Sequence, residues 1–486
     1  MIIRIIENLL ILYYMAYFVI DWLFFAVFAW QVKREKHQLA TDAQFTEHPV
    51  SIIVPAYNEE VSIVDSVKML LAIDYPCFEV IVVNDGSNDK TLFTLLDAYP
   101  EATECTIDES RWAIDTKAVK SCWKWGNNCI IVDKENGGKA DAVNVGINFA
   151  RYSYVCTIDA DSVLDKDALK QTVQPMMDDD RVFVSGGQLA VANGVTLQEN
   201  RVVSSSLPRN AWVQWQIVEY LKSFMIARYS MSKLNAVMIM SGAFSLYRRD
   251  DLLQVGGFLT AHNNSDFVQQ LGVGGSQTVC EDMEIVVRMW RWFAQQNIPA
   301  RATFLPHPLC WTEVPDAPDF LLRQRNRWHR GLAETLKIHR SMLFDPTYGS
   351  IGLFAFPYYL FFELLAPVIK VGTLGFLIVA GCMGYFNHMW VLLSLLFATF
   401  ASALITCMAT IAVEQWSTSR KLVSRDALRY KTVKDWLQLI LMSILGDVVY
   451  APVRIYAQLR GLIDFLKKKN EWYKFSRKGF SAREEQ

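Results

Sequence analysis

The 486-residue sequence has almost no net charge, no CxxC pair, no internal repeat and no low-complexity stretch. Lysine and arginine number 48 against 50 acidic residues, a net of −2. A general nucleic-acid binder needs a basic face or stripe, so that class is excluded. Charged residues make up only 20% and hydrophobic ones 52%, which excludes a disordered chain. The nine cysteines are scattered at 77, 105, 122, 129, 156, 280, 310, 382 and 407. An odd, unpaired set suggests neither a disulfide framework nor a zinc site; the expectation is reduced, mostly buried thiols facing a cytosol-like compartment. What the chain does have is apolar and aromatic content, the latter 13%. That is the composition of a membrane protein, with room for roughly three domains of about 150 residues.

Hydrophobicity divides the chain into three parts. Leu9–Trp30 is apolar except for Asp21 and long enough to span a bilayer. A cleaved signal peptide is the competing reading, but the run is too long for a signal core and no small-x-small site follows. Lys33, Arg34 and Lys36 come next, so this end is expected in the cytoplasm and the N-terminus outside. Residues 45–345 alternate short β-rich runs (Ser51–Pro55, Val80–Val83, Cys129–Val132, Tyr154–Ile158, Val182–Ser185) with helical patterns near 59–73, 88–97, 139–151 and 165–177. Such alternation predicts a largely parallel, doubly wound sheet with its chemistry at the carboxyl ends of the strands.

From Gly349 the chain is apolar again. Ile351–Tyr385 is interrupted by Pro357, Glu363, Pro367 and Lys370, Trp390–Val413 is clean, and Leu437–Leu459 carries Gly446, Asp447, Pro452 and Arg454. Residues 414–434 hold six basic side chains against Glu414 and Asp426, and 460–486 hold eight against four acidic ones. Both flanks of the last run thus read as cytoplasmic, which predicts a re-entrant or interfacial segment broken near Gly446–Asp447. Ile351–Tyr385 is expected to make one crossing after an interfacial piece, giving three crossings in all. The expected parts are a transmembrane helix at 1–35, a cytosolic α/β domain at 45–315, an amphipathic interfacial helix at 316–347, a transmembrane and re-entrant region at 348–463 and a basic cytosolic tail at 464–486. Asp21, Glu363 and Asp447 are costly in lipid and call for a lined cavity, polar partners or snorkelling.

Six segments carry chemistry, each with a bland alternative. Pro55-Ala56-Tyr57-Asn58-Glu59-Glu60 ends the first strand and also reads as a plain junction with Asn58 as helix N-cap. Asn84-Asp85-Gly86-Ser87 ends the second; Asp85 can accept hydrogen bonds from a base or ribose, or simply make an Asp-Gly turn. Asn136-Gly137-Gly138-Lys139 opens a helix, where backbone amides and a lysine suit a diphosphate. Asp159-Ala160-Asp161 follows a buried-looking strand; two close carboxylates suit a hard divalent ion, Mg²⁺ or Mn²⁺. Cys280-Glu281-Asp282 opens another helix, its acids either complementing the dipole or supplying a general base. Gln324-Arg325-Asn326-Arg327-Trp328 lies in a helix expected over Asp319–His339, with Leu321, Trp328, Leu332 and Leu336 on one stripe and Arg323, Arg330, Glu334 and Lys337 opposite. His329 reads as a surface or packing residue.

In this order the motifs PAYNEE, NDGS, NGGKADA, DAD, CED and QRNRW resemble the membrane-bound members of glycosyltransferase family 2, among them hyaluronan, chitin, cellulose and bacterial poly-N-acetylglucosamine synthases. The resemblance covers about residues 50–345 and is nearest the poly-N-acetylglucosamine group. It implies an α/β GT-A (Rossmann-like) domain with transmembrane and interfacial helices, and inverting, metal-dependent transfer from a UDP-sugar, UDP-GlcNAc or UDP-glucose. By the resemblance Ala56, Tyr57, Glu59 and Asp85 hold the uridine, and Lys139 and Asp159 contact the sugar nucleotide. Asp161, with Asp159, ligates the metal, and Asp282 is the base. Gln324, Arg327 and Trp328 bind diphosphate and acceptor, and Ser241-Gly242-Ala243 falls at the acceptor segment. The implied partners are a UDP-sugar, a growing glycan, the lipid bilayer and a small membrane subunit, with no nucleic acid; the implied location is the cell (inner) membrane, multi-pass, with a cytoplasmic catalytic domain.

Two departures stand out: the stretch 257–279 is long, and Cys280 replaces the usual threonine. Trp472…Arg477 is similar to the gating segment of hyaluronan synthases at a different spacing. Arg425…Arg429 has a second-messenger motif's spacing without its companions, so no cyclic-dinucleotide response is expected. The leading expectation is a processive synthase that exports its product. A non-processive enzyme loading a lipid carrier, an inactive sugar-nucleotide scaffold and a transporter without chemistry are the alternatives.

Overall fold

The structure is a computed structural model and describes residues 2–34, 40–198, 200–385, 389, 400–401, 403–411 and 429–469. The chain divides into two compact units. A sheet unit comprises His37–Ser205, Val237–Val314 and Lys474–Gln486, and a helical unit comprises Met1–Lys36, Ser206–Ala236 and Pro315–Tyr473.

The strands of the sheet unit are β1 (Val50–Ala56), β2 (Phe78–Asn84), β3 (Thr103–Glu104), β4 (Val119–Trp125), β5 (Cys129–Lys134), β6 (Tyr154–Ile158), β7 (Val163–Leu164), β8 (Val182–Val191), β9 (Val195–Gln198), β10 (Arg201–Ser205), β11 (Phe244–Arg248) and β12 (Arg301–Thr312). Ten of them form one sheet in the order β3-β4-β5-β2-β1-β6-β11-β8-β12-β7. All five expected strands are present. The parallel quartet β5-β2-β1-β6 is built from runs such as Ile52-Ile53-Val54 and Val80-Ile81-Val82-Val83, fully buried on both faces as parallel strands require. The expectation of a largely parallel sheet is corrected beyond β6. There β11 runs antiparallel to both β6 and β8, and β12 then pairs parallel with β8, so the sheet is mixed. A parallel half extended by a mixed half is the GT-A arrangement that the resemblance implies.

The expected helices are observed at Ile63–Leu71, Thr91–Ala98, Lys139–Phe149 and Ala168–Asp178. Asn58 is not an N-cap. It sits at φ +55°, and the helix starts later, after Ser62, whose hydroxyl donates to Glu59 at 2.9 Å. Cys105, just past β3, and Cys122, on the neighbouring β4, are paired with Cα atoms 5.4 Å apart, which the cysteine spacing did not suggest.

In the helical unit, Ile3–Gln31 and Val433–Leu466 are long and apolar enough to cross a membrane. Ile351–Leu364 and Ala366–Cys382, bent by 48°, would make a third span if taken together. The expected break at Gly446–Asp447 is corrected: the helix continues through a π-helical turn, Gly446–Tyr450, because the wider turn absorbs Gly446 without ending the hydrogen-bond ladder. Most of Trp390–Val413, with Arg425, Trp472 and Arg477, lies outside the described residues. Two acids of these apolar helices have polar partners: Asp21 pairs with Lys222 at 3.0 Å, and Glu363 accepts from the Tyr358 hydroxyl at 3.1 Å.

Candidate active site

Because β1, β2, β5 and β6 are parallel, their carboxyl ends share one edge of the sheet. Antiparallel β11 enters at that same edge, Phe244 opposite Ile158. The edge therefore collects Ala56, Asp85, Lys134 to Lys139, Asp159 and the Ser241–Ala243 turn. The first two turns are latched together: the Asp85 amide donates to the Ala56 carbonyl at 2.8 Å, and the Asn58 amide to Ser87 Oγ at 2.9 Å. Glu59 N donates to Thr91 Oγ1 at 2.7 Å, and the half-buried Tyr57 accepts from Asn88 at 3.3 Å.

Asp85 is only 2% exposed, and its carboxylate is engaged from within. Lys134 Nζ donates to Oδ1 at 2.8 Å, Gly137 N to Oδ1 at 2.9 Å and Gly138 N to Oδ2 at 2.8 Å. Lys134, wholly buried, also reaches Asp141 at 2.6 Å. The amides of the glycine turn, expected at a diphosphate, thus point at Asp85. Gly138 stands at φ +88°, a conformation side chains rarely adopt, and lets the turn close on that carboxylate before the helix begins. Lys134 was not anticipated; a strand-end lysine reads as solvated until its two aspartates are seen.

Lys139 then projects from the first helical turn. Its ammonium lies 2.6 Å from Asp159, 3.4 Å from Glu281 and 3.0 Å from the Gly242 carbonyl. Burial alone would lower its pKa, but Asp159, Glu281 and Asp282 outweigh it and hold the lysine above its ordinary range. Asp282, in the first turn of Glu281–Gln295, accepts from Gly242 N at 3.0 Å through Oδ2 and from Met283 N at 3.0 Å through Oδ1. Asp161 is buried beside Asp159 on the DAD turn. Among the described residues no group of three or more His, Cys, Asp or Glu side chains is placed to hold a metal ion by itself. The protein thus offers two hard oxygen donors, Asp159 and Asp161. That donor set fits Mg²⁺ or Mn²⁺ shared with substrate phosphates, not an ion caged by protein alone.

Gln324, Arg327 and Trp328 lie in the helical unit, on Pro318–Ile338. Of the expected faces, Leu321 and Leu336 are buried and Arg323 and Lys337 exposed. Arg330, assigned to the polar face, is buried, as are Arg325 and His329, because neighbouring polar groups meet them. Glu219 accepts from Arg325 at 2.5 Å, from Arg454 at 3.1 Å and from the Tyr450 hydroxyl at 2.6 Å. Burial would raise the Glu219 pKa, but these partners hold it below the usual range. Arg325 also stacks 4.1 Å over the Trp328 ring, whose other neighbour is Phe224 at 5.6 Å between centroids.

His329, as expected, is a packing residue. Its Nε2 lies 3.1 Å from the Leu364 carbonyl, so that nitrogen carries the proton. Burial pushes the imidazole down to about 4. A depressed histidine stabilises fully above its unfolded value, about 6.5, and that stability is lost as pH falls toward 4. By pH 5 the loss should reach about 2 kcal/mol. Melting curves of wild type and His329→Gln at pH 7 and pH 5 should show the wild type losing more; equal losses would contradict it.

The model described as Glycosyl transferase family 2 matches residues 51–256, and that described as Glycosyl transferase family group 2 matches residues 154–417. The poly-beta-1,6-N-acetyl-D-glucosamine synthase of Staphylococcus epidermidis is 26% identical over 331 residues, 67% of this chain and 65% of that protein. The synthase of the same name from Staphylococcus aureus is 25% identical over 330 residues, with the same coverage. The chain thus spans 65% of the length of these curated relatives. A solved mannosyltransferase from Pyrobaculum calidifontis, in complex with GDP-Man and Mn²⁺, aligns over 96% of this chain and 100% of its own at 18% identity and a TM-score of 0.49. With more than half of its length matched by one family model, the chain belongs to glycosyl transferase family group 2.

Proposed function

We propose that this chain transfers a sugar from a UDP-sugar, UDP-GlcNAc before UDP-glucose, to a growing polysaccharide with inversion, and that growth is coupled to export. The observation that carries the reading is one lysine set among carboxylates: Lys139 at 2.6 Å from Asp159 and 3.4 Å from Glu281, with Asp282 one glycine away. Asp159, Asp161, Glu281 and Asp282 outnumber that single ammonium, so a diphosphate enters favourably only with a divalent cation. Asp159 and Asp161 would hold Mg²⁺ or Mn²⁺, which when bound offsets charge on the leaving UDP.

Lys139 exchanges its carboxylate partners for diphosphate oxygen and stabilises the departing charge. Asp282 takes the proton of the acceptor hydroxyl as the new C–O bond forms, while the bond to UDP breaks on the opposite face. Ala56, Tyr57 and Glu59 line the uridine end, and Asp85 acts from behind the glycine turn. On the acceptor side we assign Ser241, and in the helical unit Gln324, Arg327 and the aromatic face of Trp328. The apolar helices support a multi-pass membrane protein with its sheet unit in the cytoplasm. The relatives' name favours N-acetylglucosamine as the transferred sugar.

The full chain, purified in lipid nanodiscs and given a panel of UDP-sugars, should release UDP fastest from UDP-GlcNAc. Chelation should stop release and Mg²⁺ or Mn²⁺ restore it. Glycosidase digestion should report a polymer. Lipid-linked single sugars would overturn the polymerase, and no release from any donor would overturn the enzyme.

A further inference from the structure

The Ser241–Ala243 turn touches three parts of the site at once. The Ala243 carbonyl accepts from the Asp159 amide at 3.3 Å, the Gly242 carbonyl accepts from Lys139 at 3.0 Å, and the Gly242 amide donates to Asp282 at 3.0 Å. The turn is itself fixed: Phe244 N and Ser245 Oγ both donate to the Ser241 carbonyl, at 3.1 and 2.6 Å, where β11 enters the middle of the sheet. Gly242 does not have a positive φ, so its backbone conformation does not demand glycine. Space does. A β-carbon there would lie 3.0 Å from Lys139 Nζ, 3.2 Å from Asp282 Oδ2 and 3.4 Å from Asp282 Cβ.

We infer that Gly242 is a positioning residue that sets the spacing between the Lys139 ammonium and the Asp282 carboxylate, holding one by its carbonyl and the other by its amide. The inference rests on the proposed roles of those two side chains. In-line displacement needs the leaving-group cation and the acceptor base at a fixed separation, and misplacement by about 1 Å can cost 10²-fold in rate. Lys139 ends a flexible stem, and Asp282 also accepts from the adjacent Met283 amide. The rigid turn gives both groups a common reference point. The bare α-carbon of Gly242 lets both groups close on it.

Gly242→Ala should lower kcat for sugar transfer about tenfold to a hundredfold, with KM for donor and acceptor within about threefold and the melting temperature near wild type. A kcat within threefold of wild type, or a loss confined to donor KM, would overturn the inference. Asp282→Asn, assayed alongside, separates the two readings. If Asp282→Asn is active, the base assignment fails; if it is inactive and Gly242→Ala is not impaired, only the present inference fails. Should Gly242→Ala not fold, hydrogen exchange of the full-length protein decides. Protection of the Gly242 amide should drop at least tenfold in Asp282→Ala, and unchanged protection would overturn the inference.

Discussion

Asp282→Asn is expected to cut sugar transfer by about 10³-fold or more while UDP binding stays within about threefold, read as UDP release and as calorimetric UDP affinity. The asparagine fills the same volume but loses the anion proposed to take the acceptor proton. It also loses symmetry. Both oxygens of Asp282 now accept backbone amides, from Gly242 and from Met283. An amide side chain can accept only one of the two and must point its own donor at the other, so the residue is displaced as well as neutralised. UDP binding survives because the groups assigned to the nucleotide, Ala56, Tyr57, Glu59 and Lys139, stand on other strands and turns. Unchanged turnover would remove Asp282 as the base. If Glu281→Gln instead carried the loss, the base would be Glu281, whose contact with Lys139 at 3.4 Å otherwise marks it as a counter-charge.

The parallel half of the sheet was legible because each strand is a short β-branched run ending in a glycine or acidic turn, and the period of such runs leaves little choice. The mixed half was not. β12 contains Pro306 and Pro308, which argue against a strand; the structure accommodates them at register shifts around Leu305 and Pro308. β11 is no shorter than β6 but has none of its β-branched residues, yet it brings Gly242 to the active edge. Lys139, Asp159 and Asp282 could be singled out because each sits at a strand end or helix start, where chemistry gathers. Lys134 could not be, since its partner Asp85 is 49 residues away in sequence. The same holds for the helix of Gln324 to Trp328. Its periodicity gives an apolar stripe and a polar face, but only Glu219, 106 residues away from Arg325, shows why an arginine lies buried on the apolar stripe.

Lys134→Met should destabilise the sheet unit by about 3–5 kcal/mol, the cost of breaking a buried ion pair from one side. The site explains why the effect should be large. Lys134 is wholly buried and bridges Asp85 at 2.8 Å and Asp141 at 2.6 Å, so one positive charge already faces two negative ones. The remainder is offset by backbone dipoles, the Gly137 and Gly138 amides on Asp85 and the Lys117 amide 3.3 Å from Asp141. Methionine matches the stem but leaves two buried carboxylates with dipoles alone. Against a total stability of about 5–15 kcal/mol, this threatens the fold of the unit. Thermal unfolding of the full chain should show a fall of about 10 °C, and limited proteolysis should open the 134–141 turn first. Adding Asp141→Asn should restore part of the loss, because one of the stranded charges is then gone; a double variant no more stable than Lys134→Met would contradict the charge-pairing account. What remains folded of Lys134→Met should have a raised donor KM, because the turn that Asp85 gathers is the one that presents Lys139. A loss below about 0.5 kcal/mol, the ordinary range of a surface substitution, would mean that the lysine is not the keystone of that turn.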